Sequence, residues 1–261
     1  MHRRILVVPS LITVAAFFSG FLAIISAFRG EFEYATKCIA FAFIFDGLDG
    51  RVARRLNATT AFGKEFDSLS DVVAFGVAPA IMIYCWAFIE PANDFGVLVA
   101  FLFTVCGGAR LARFNITSGD SKSPHFQGLP IPAAAAALTS AVYFSPTRVS
   151  DPMVAGVVAL FAIALAFLMV SSIPFLSVKY MRFTQKNMKM LLFALALFVA
   201  LAWYHSRMFF LAGSLIYVLS GPFLYFREER KKKELLATSN GVSVESPRSE
   251  PTPTSAATER H

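Results

Sequence analysis

The chain has 261 residues, of which 56% are hydrophobic and only 16% charged, with a mean hydropathy of +0.59 and a formal charge of +7. A water-soluble globular protein and a disordered chain are both excluded for the bulk of it, because neither combines so much apolar content with so little charge. In so apolar a chain an excess of Lys and Arg points to membrane topology before nucleic acid, and no nucleic-acid partner is expected.

A membrane crossing needs about 20 apolar residues. Eight runs approach that length, at 5–28, 34–54, 66–89, 96–114, 129–145, 152–174, 188–204 and 208–226. The first follows Arg3 and Arg4 but is too long for a signal peptide and lacks a cleavage site, so it reads as a retained helix. The fifth opens on Pro130 and Pro132, which blurs its start. Cys38, Cys85 and Cys106 all lie inside apolar runs and read as buried free thiols.

With both termini on one side, the segments on that side hold 18 basic residues and the opposite segments hold four, Arg29, Lys37, Arg148 and Arg207. The positive-inside rule then assigns the richer side to the cytoplasm. The expected fold is all-α and integral to the membrane, with about eight transmembrane helices and both termini cytoplasmic. A six-helix arrangement with re-entrant pieces is the alternative. Residues 1–226 form the expected membrane domain. Residues 227–261 read as a basic juxtamembrane segment, Arg230 to Lys233 at its centre, followed by a Ser/Thr/Pro/Glu-rich disordered tail.

Four carboxylates stand out against this background. Asp46, Asp49, Asp67 and Asp71 lie at the cytoplasmic ends of the second and third runs, where a bare carboxylate is costly. At 100° per residue Asp46 and Asp49 share one helix face, as do Asp67 and Asp71 on the next. The short stretch from Arg51 to Lys64 makes the two helices antiparallel neighbours, with both pairs at one depth. Four converging carboxylates repel unless cations lie between them, and hard oxygen ligands suit Mg²⁺ or Mn²⁺, with two ions sharing bridging carboxylates. Gly47, Gly50, Ala53 and Gly63 leave room beside the acids, and Arg54 supplies a fork of donors suited to phosphate. Metals, open backbone and an arginine together read as a pyrophosphate site. Salt bridges from Asp46 and Asp49 to Arg54 or Arg55 are the simpler reading of that pair but leave Asp67 and Asp71 unexplained. Cation transport through the carboxylates is a further alternative, weakened by their position at one membrane edge.

The stretch from Asp46 to Asp71, DGLDGRVARRLNATTAFGKEFDSLSD, carries D-x2-D-G-x2-A-R-x8-G-x3-D-x3-D and resembles the signature of the CDP-alcohol phosphotransferase family. Three further segments are similar to the family's membrane-integral phosphatidylserine synthase branch: PSLIT at 9–13, ARLARFN at 109–115 and FQGLPIPAAAA at 126–136. The first departs from the usual P-N-x-x-T, with Ser10 in place of the asparagine.

The resemblance implies a six-helix core, a homodimer in a membrane such as the bacterial inner membrane, and an active site on the cytoplasmic side. It implies CDP-diacylglycerol and L-serine as substrates, giving phosphatidylserine and CMP, with two Mg²⁺ or Mn²⁺ ions. Carried over residue by residue, Asp46, Asp49, Asp67 and Asp71 are expected as metal ligands, Asp71 also as general base, and Gly50, Arg54, Gly63 and Ser68 as contacts of the CDP moiety. Arg110, Arg113, Asn115 and Gln127 lie near the same edge and are candidates for holding serine, although Arg110 and Arg113 also serve as topology anchors. A sister transferase acting on glycerol 3-phosphate or an inositol phosphate is the nearest alternative. A cation transporter or lipid-binding scaffold is the non-enzymatic one.

Overall fold

The structure is a computed structural model and describes residues 7–56, 60–89, 94–117, 126–175 and 206–242. Its helices are α1 (Val7–Phe28), α2 (Phe32–Arg55), α3 (Ala61–Ala87), α4 (Asp94–Thr117), α5 (Ile131–Phe144), α6 (Pro152–Val170) and α7 (Ser206–Val242). Among the described residues the sole strands are β1 (Phe126–Gln127) and β2 (Pro174–Phe175), paired antiparallel. The apolar run at 188–204 lies outside the described residues.

Among the described residues, four stretches are long and apolar enough to cross a membrane: Ser10–Phe28, Ala61–Ala87, Asp94–Ile116 and Pro152–Val170. Helix α2 is 24 residues long, about 36 Å at 1.5 Å per residue, but carries Glu33, Lys37, Asp46, Asp49, Arg51, Arg54 and Arg55, so it is long enough without being apolar enough. Helices α5 and α7 contribute shorter apolar stretches.

Helices α1 and α2 form the most extensive contact in the bundle. They turn about Gly30, whose φ of 77° falls in the left-handed region that favours glycine. Small residues are buried on both helices: Ala23 and Ala27 on α1 and Ala35 and Ala42 on α2 are fully buried. On α1 a Cβ at Gly20 would stand 2.7 Å from the Cα of Ala74, so this glycine sets how closely α1 lies against α3.

Helix α3 begins earlier than its apolar run. Thr60 caps it, its hydroxyl accepting from the Gly63 N–H at 2.9 Å, and one polar turn precedes the hydrophobic stretch. Directly after Asp71 the helix widens into a π segment, Val72–Val77, and the Ala78 N–H reaches back five residues to the Val73 carbonyl. Pro79 follows and has no N–H to donate to Phe75, which favours the register change at this point.

The two prolines that blur the fifth run fall where a helix tolerates them, Pro130 as N-cap and Pro132 in the first turn of α5. The chain before them is pinned to the end of α6, with Gly128 N–H donating to Ile173 O at 2.9 Å and Leu129 N–H to Leu168 O at 3.0 Å. Gly128 has φ 81°, and a side chain there would meet the Met169 carbonyl.

Helix α7 extends well past Phe226, through the basic cluster to Val242. The Arg, Glu, Lys, Leu and Ala of residues 227–237 are strong helix formers, and this local propensity acts where no apolar face does. The Ser/Thr/Pro/Glu-rich residues from 243 onward lie outside the described residues.

Candidate active site

Helices α2 and α3 bring the acids together. One oxygen from each of Asp46, Asp49 and Asp67 lies within 4.8 Å of the others. Across the two helices Asp46 interacts electrostatically with Asp71, and Asp49 with Asp67. This is the pairing expected of antiparallel helices, the earlier residue of one facing the later residue of the other.

Helix α1 supplies a support that the acid spacing does not disclose. Thr13, in the PSLIT segment, donates from Oγ1 to Asp49 Oδ2 at 2.8 Å, and both residues are buried. Ser70 Oγ donates in turn to the Thr13 carbonyl at 3.4 Å, so α1 is tied to both acid-bearing helices. The signal for Thr13 is its place in that short motif.

Beside the acids is a cavity of about 430 Å³ lined by Ser10, Thr13, Asp49, Gly50, Ala53, Arg54, Thr60, Ala61, Gly63, Lys64, Phe66 and Asp67. Its glycines have distinct settings. A Cβ at Gly50 would sit 3.5 Å from Arg54 Nη1, and one at Gly63 only 3.1 Å from the capping Thr60 hydroxyl. Gly47, which does not line the cavity, has nothing within 4 Å of a Cβ position, so it opens outward. The cavity thus sets two basic side chains, Arg54 and Lys64, near two of the carboxylates, an arrangement that suits a phosphorylated ligand.

The acids fit divalent metal. Asp67 Oδ1 is buried and has no hydrogen-bond partner, and a buried carboxylate oxygen without a donor is costly unless a cation takes its place. Three all-oxygen side chains at this separation are a donor set for a hard cation such as Mg²⁺ or Mn²⁺. Asp71 lies outside that close group of three, beside Asp46, deeper along α3.

The remaining sequence candidates separate. Ser68 Oγ donates to Lys64 O at 3.1 Å and accepts from Asn115 Nδ2 at 2.9 Å, which joins α4 to the acid-bearing face of α3. Arg110 is buried, its guanidinium 5.9 Å from the Phe114 ring centroid. Arg113 is exposed and its Nη1 donates to the Val170 carbonyl at 3.3 Å, at the C-terminal end of α6. Gln127 pairs with Pro174 in the short ladder, and its side chain lies outside the described residues.

The comparisons with known proteins agree with this geometry. The family model CDP-alcohol phosphatidyltransferase matches residues 6–170, which contain α1 to α6 and all four aspartates. A CDP-diacylglycerol--serine O-phosphatidyltransferase of Helicobacter pylori strain J99 is 38% identical over 194 residues, covering 72% of this chain and 80% of that protein. One of the same name from Bacillus subtilis strain 168 is 38% identical over 168 residues, 64% of this chain and 89% of the relative. An archaetidylserine synthase of Methanothermobacter thermautotrophicus is 41% identical over 172 residues, 64% of this chain and 68% of the relative. With the signature, the fold and the acid cluster in agreement, the chain belongs to the CDP-alcohol phosphatidyltransferase family.

Proposed function

We propose that the protein transfers the phosphatidyl group of CDP-diacylglycerol to the hydroxyl of L-serine, forming phosphatidylserine and CMP. The observation that carries this reading is the cluster of Asp46, Asp49 and Asp67 beside a cavity that also exposes Gly50, Arg54 and Lys64. The choice of serine is supported by the names of the relatives from Helicobacter pylori and Bacillus subtilis, and by the archaeal serine-lipid synthase.

In this reading the CDP moiety lies in the cavity, with its pyrophosphate against Arg54 and the open backbone at Gly50 and Gly63, and Ser68 at the rim. Asp46, Asp49, Asp67 and Asp71 hold two Mg²⁺ or Mn²⁺ ions, which supply charge neutralisation at the pyrophosphate when bound. Asp71 takes the proton of the serine hydroxyl as its oxygen attacks the phosphorus that carries diacylglycerol. That oxygen forms the new P–O bond, the bond to the CMP phosphate breaks, CMP leaves, and Asp71 passes the proton to solvent. Arg54 and Lys64 hold the departing phosphate. Arg110, Arg113, Asn115 and Gln127 are the sequence candidates for the serine side of the site.

The same reading sets this chemistry in a membrane domain, residues 1–226, with eight spans and both termini in the cytoplasm. The site then faces the cytoplasm at the inner leaflet of a membrane such as the bacterial inner membrane, beside the lipid substrate. Residues 227–261 form a cytoplasmic extension, and the protein acts as a homodimer.

The test is lipid product analysis. Purified protein with CDP-diacylglycerol, Mn²⁺ and isotopically labelled L-serine is expected to place the label in lipid, with labelled glycerol 3-phosphate and inositol phosphate leaving none. Label in lipid from either of those acceptors instead of serine makes this a sister transferase.

A further inference from the structure

Helix α7 leaves the apolar bundle at the same end as the acids. At its start Arg207 Nη2 lies 3.5 Å from Oε2 of Glu33, at the start of α2, and the Arg207 guanidinium stands 5.6 Å from the Tyr143 ring centroid at the end of α5. Farther along, Gly221 of α7 lies against the ring of Phe175, just beyond α6. The last residue of α6, Val170, accepts from Arg113 of α4, and Asn115 of that helix bonds Ser68, next to Asp67. Helices α2 and α7 therefore start level and run the same way. Twenty residues separate Glu33 from Ala53, which lines the cavity, and twenty separate Arg207 from Arg227. At 1.5 Å per residue each is about 30 Å along its helix, so Arg227 stands at the depth of the cavity.

The chain changes character at that depth. Phe223 and Tyr225 are exposed, aromatic residues of the kind that sit where a span meets the headgroups. From Arg227 onward the sequence is charged, yet α7 continues to Val242, roughly 22 Å farther at 1.5 Å per residue. Pro222, just before this extension, has no N–H to donate to the Val218 carbonyl, which loosens the helix where it leaves the bundle.

The two turns from Arg227 to Glu234 hold five basic and three acidic residues. Glu228 and Glu229 stand four residues before Lys232 and Lys233, the order and spacing at which opposite charges on a helix offset each other. Glu234 is then the one acid left against Arg227, Arg230 and Lys231, three positions that fall within about 100° of one helix face. A topology signal needs only charge near the end of a span, in any conformation, whereas here an ordered helix sets three cations in one row. The row also stops short: residues 235–242 carry no basic residue, so the positive charge is confined to headgroup depth and does not extend along the helix toward a soluble partner. The anions at that depth are those of phospholipid headgroups, and a basic segment just outside a span is attracted to them within a Debye length.

We propose that the face of α7 carrying Arg227, Arg230 and Lys231 docks on anionic phospholipid headgroups of the leaflet that borders the acid cluster. The surface gathers anionic lipid at the end of the bundle where the site lies, and it does so from a helix beyond the residues matched by the family model. It needs the membrane and the helix, and it is independent of the transferase reading.

The experiment follows amide hydrogen exchange over residues 227–242 in full-length protein reconstituted into vesicles of phosphatidylcholine, with or without phosphatidylglycerol. Exchange is expected to slow at least about tenfold with phosphatidylglycerol and to return to the phosphatidylcholine rate at high salt, as surface attraction is screened. Combining Arg227→Gln, Arg230→Gln and Lys231→Gln should abolish the slowing, while Arg227→Lys with Arg230→Lys keeps the charges and should retain it. Glu228→Gln with Glu229→Gln adds net positive charge and should strengthen the lipid effect, which keeps the test decisive where the neutralised protein inserts poorly. Equal exchange in both lipids overturns the docking surface and leaves the charges as a topology anchor. Full slowing in the neutralised variant overturns it too, as does equal slowing by inorganic phosphate over phosphatidylcholine vesicles, which would make the row a general anion site. Exchange is read without turnover, so a failure of serine to support CMP release overturns the transferase reading alone.

Discussion

Thr13 on α1 donates a 2.8 Å hydrogen bond to Oδ2 of Asp49 on α2, fixing the orientation of one carboxylate in the cluster from a neighbouring helix. A ligand held in this way loses less freedom when it binds a cation, and such supports matter nearly as much as the ligands themselves. Thr13→Val keeps the shape and removes the donor. It is expected to raise the Mn²⁺ concentration for half-maximal CMP release roughly 10–100-fold, while Thr13→Ser stays close to wild type. A metal titration of the three proteins checks this.

The carboxylates repel one another until a cation lies among them, so charge removal and metal addition should affect stability in the same direction. Asp67→Asn is expected to raise the melting temperature of the metal-free protein and to abolish its response to Mn²⁺. The wild type should gain about 2.7 kcal/mol at a Mn²⁺ concentration of 100 times Kd. Thermal unfolding in detergent, with chelator and then with Mn²⁺, measures both effects.

Asp71 stands beside Asp46 but outside the closest three-carboxylate group. If it removes the acceptor proton, Asp71→Asn should lower kcat by roughly 10²–10⁴-fold while CDP-diacylglycerol still binds. Single-turnover CMP release set against substrate binding separates chemistry from affinity. Full turnover by Asp71→Asn removes Asp71 as the base.

Gly128 has φ 81° and lies against the Met169 carbonyl, where it holds the start of α5 to the end of α6. Gly128→Ala combines a left-handed backbone with a steric clash and should cost at least about 1–3 kcal/mol. A lower melting temperature, with Gly156→Ala on open space as the control, is the expected outcome.

The acids were legible because their cause is local: carboxylates at fixed helical spacing in apolar runs have few physical explanations, and Asp46, Asp49 and Asp67 do converge. The helices were legible from apolar run length, with ends displaced where capping acts outside hydrophobicity, as at Thr60 before α3. Three features had no comparable signal. Thr13 is one hydroxyl on an apolar helix, and its role depends on a partner 36 residues away. The π segment after Asp71 shifts the helical register by an amount that no hydrophobic period reveals. Tyr217 is placed by the packing of α7 on Ser140 and Phe175, contacts that link residues far apart in the chain.

The most direct test of the account is CMP release from purified protein with CDP-diacylglycerol, measured as Mn²⁺ is titrated with and without L-serine. The account predicts release that needs both serine and metal and that matches phosphatidylserine formation one for one. Release that is indifferent to serine contradicts it, as does cation flux across vesicles with no CMP formed, which would mark the carboxylates as a transport path.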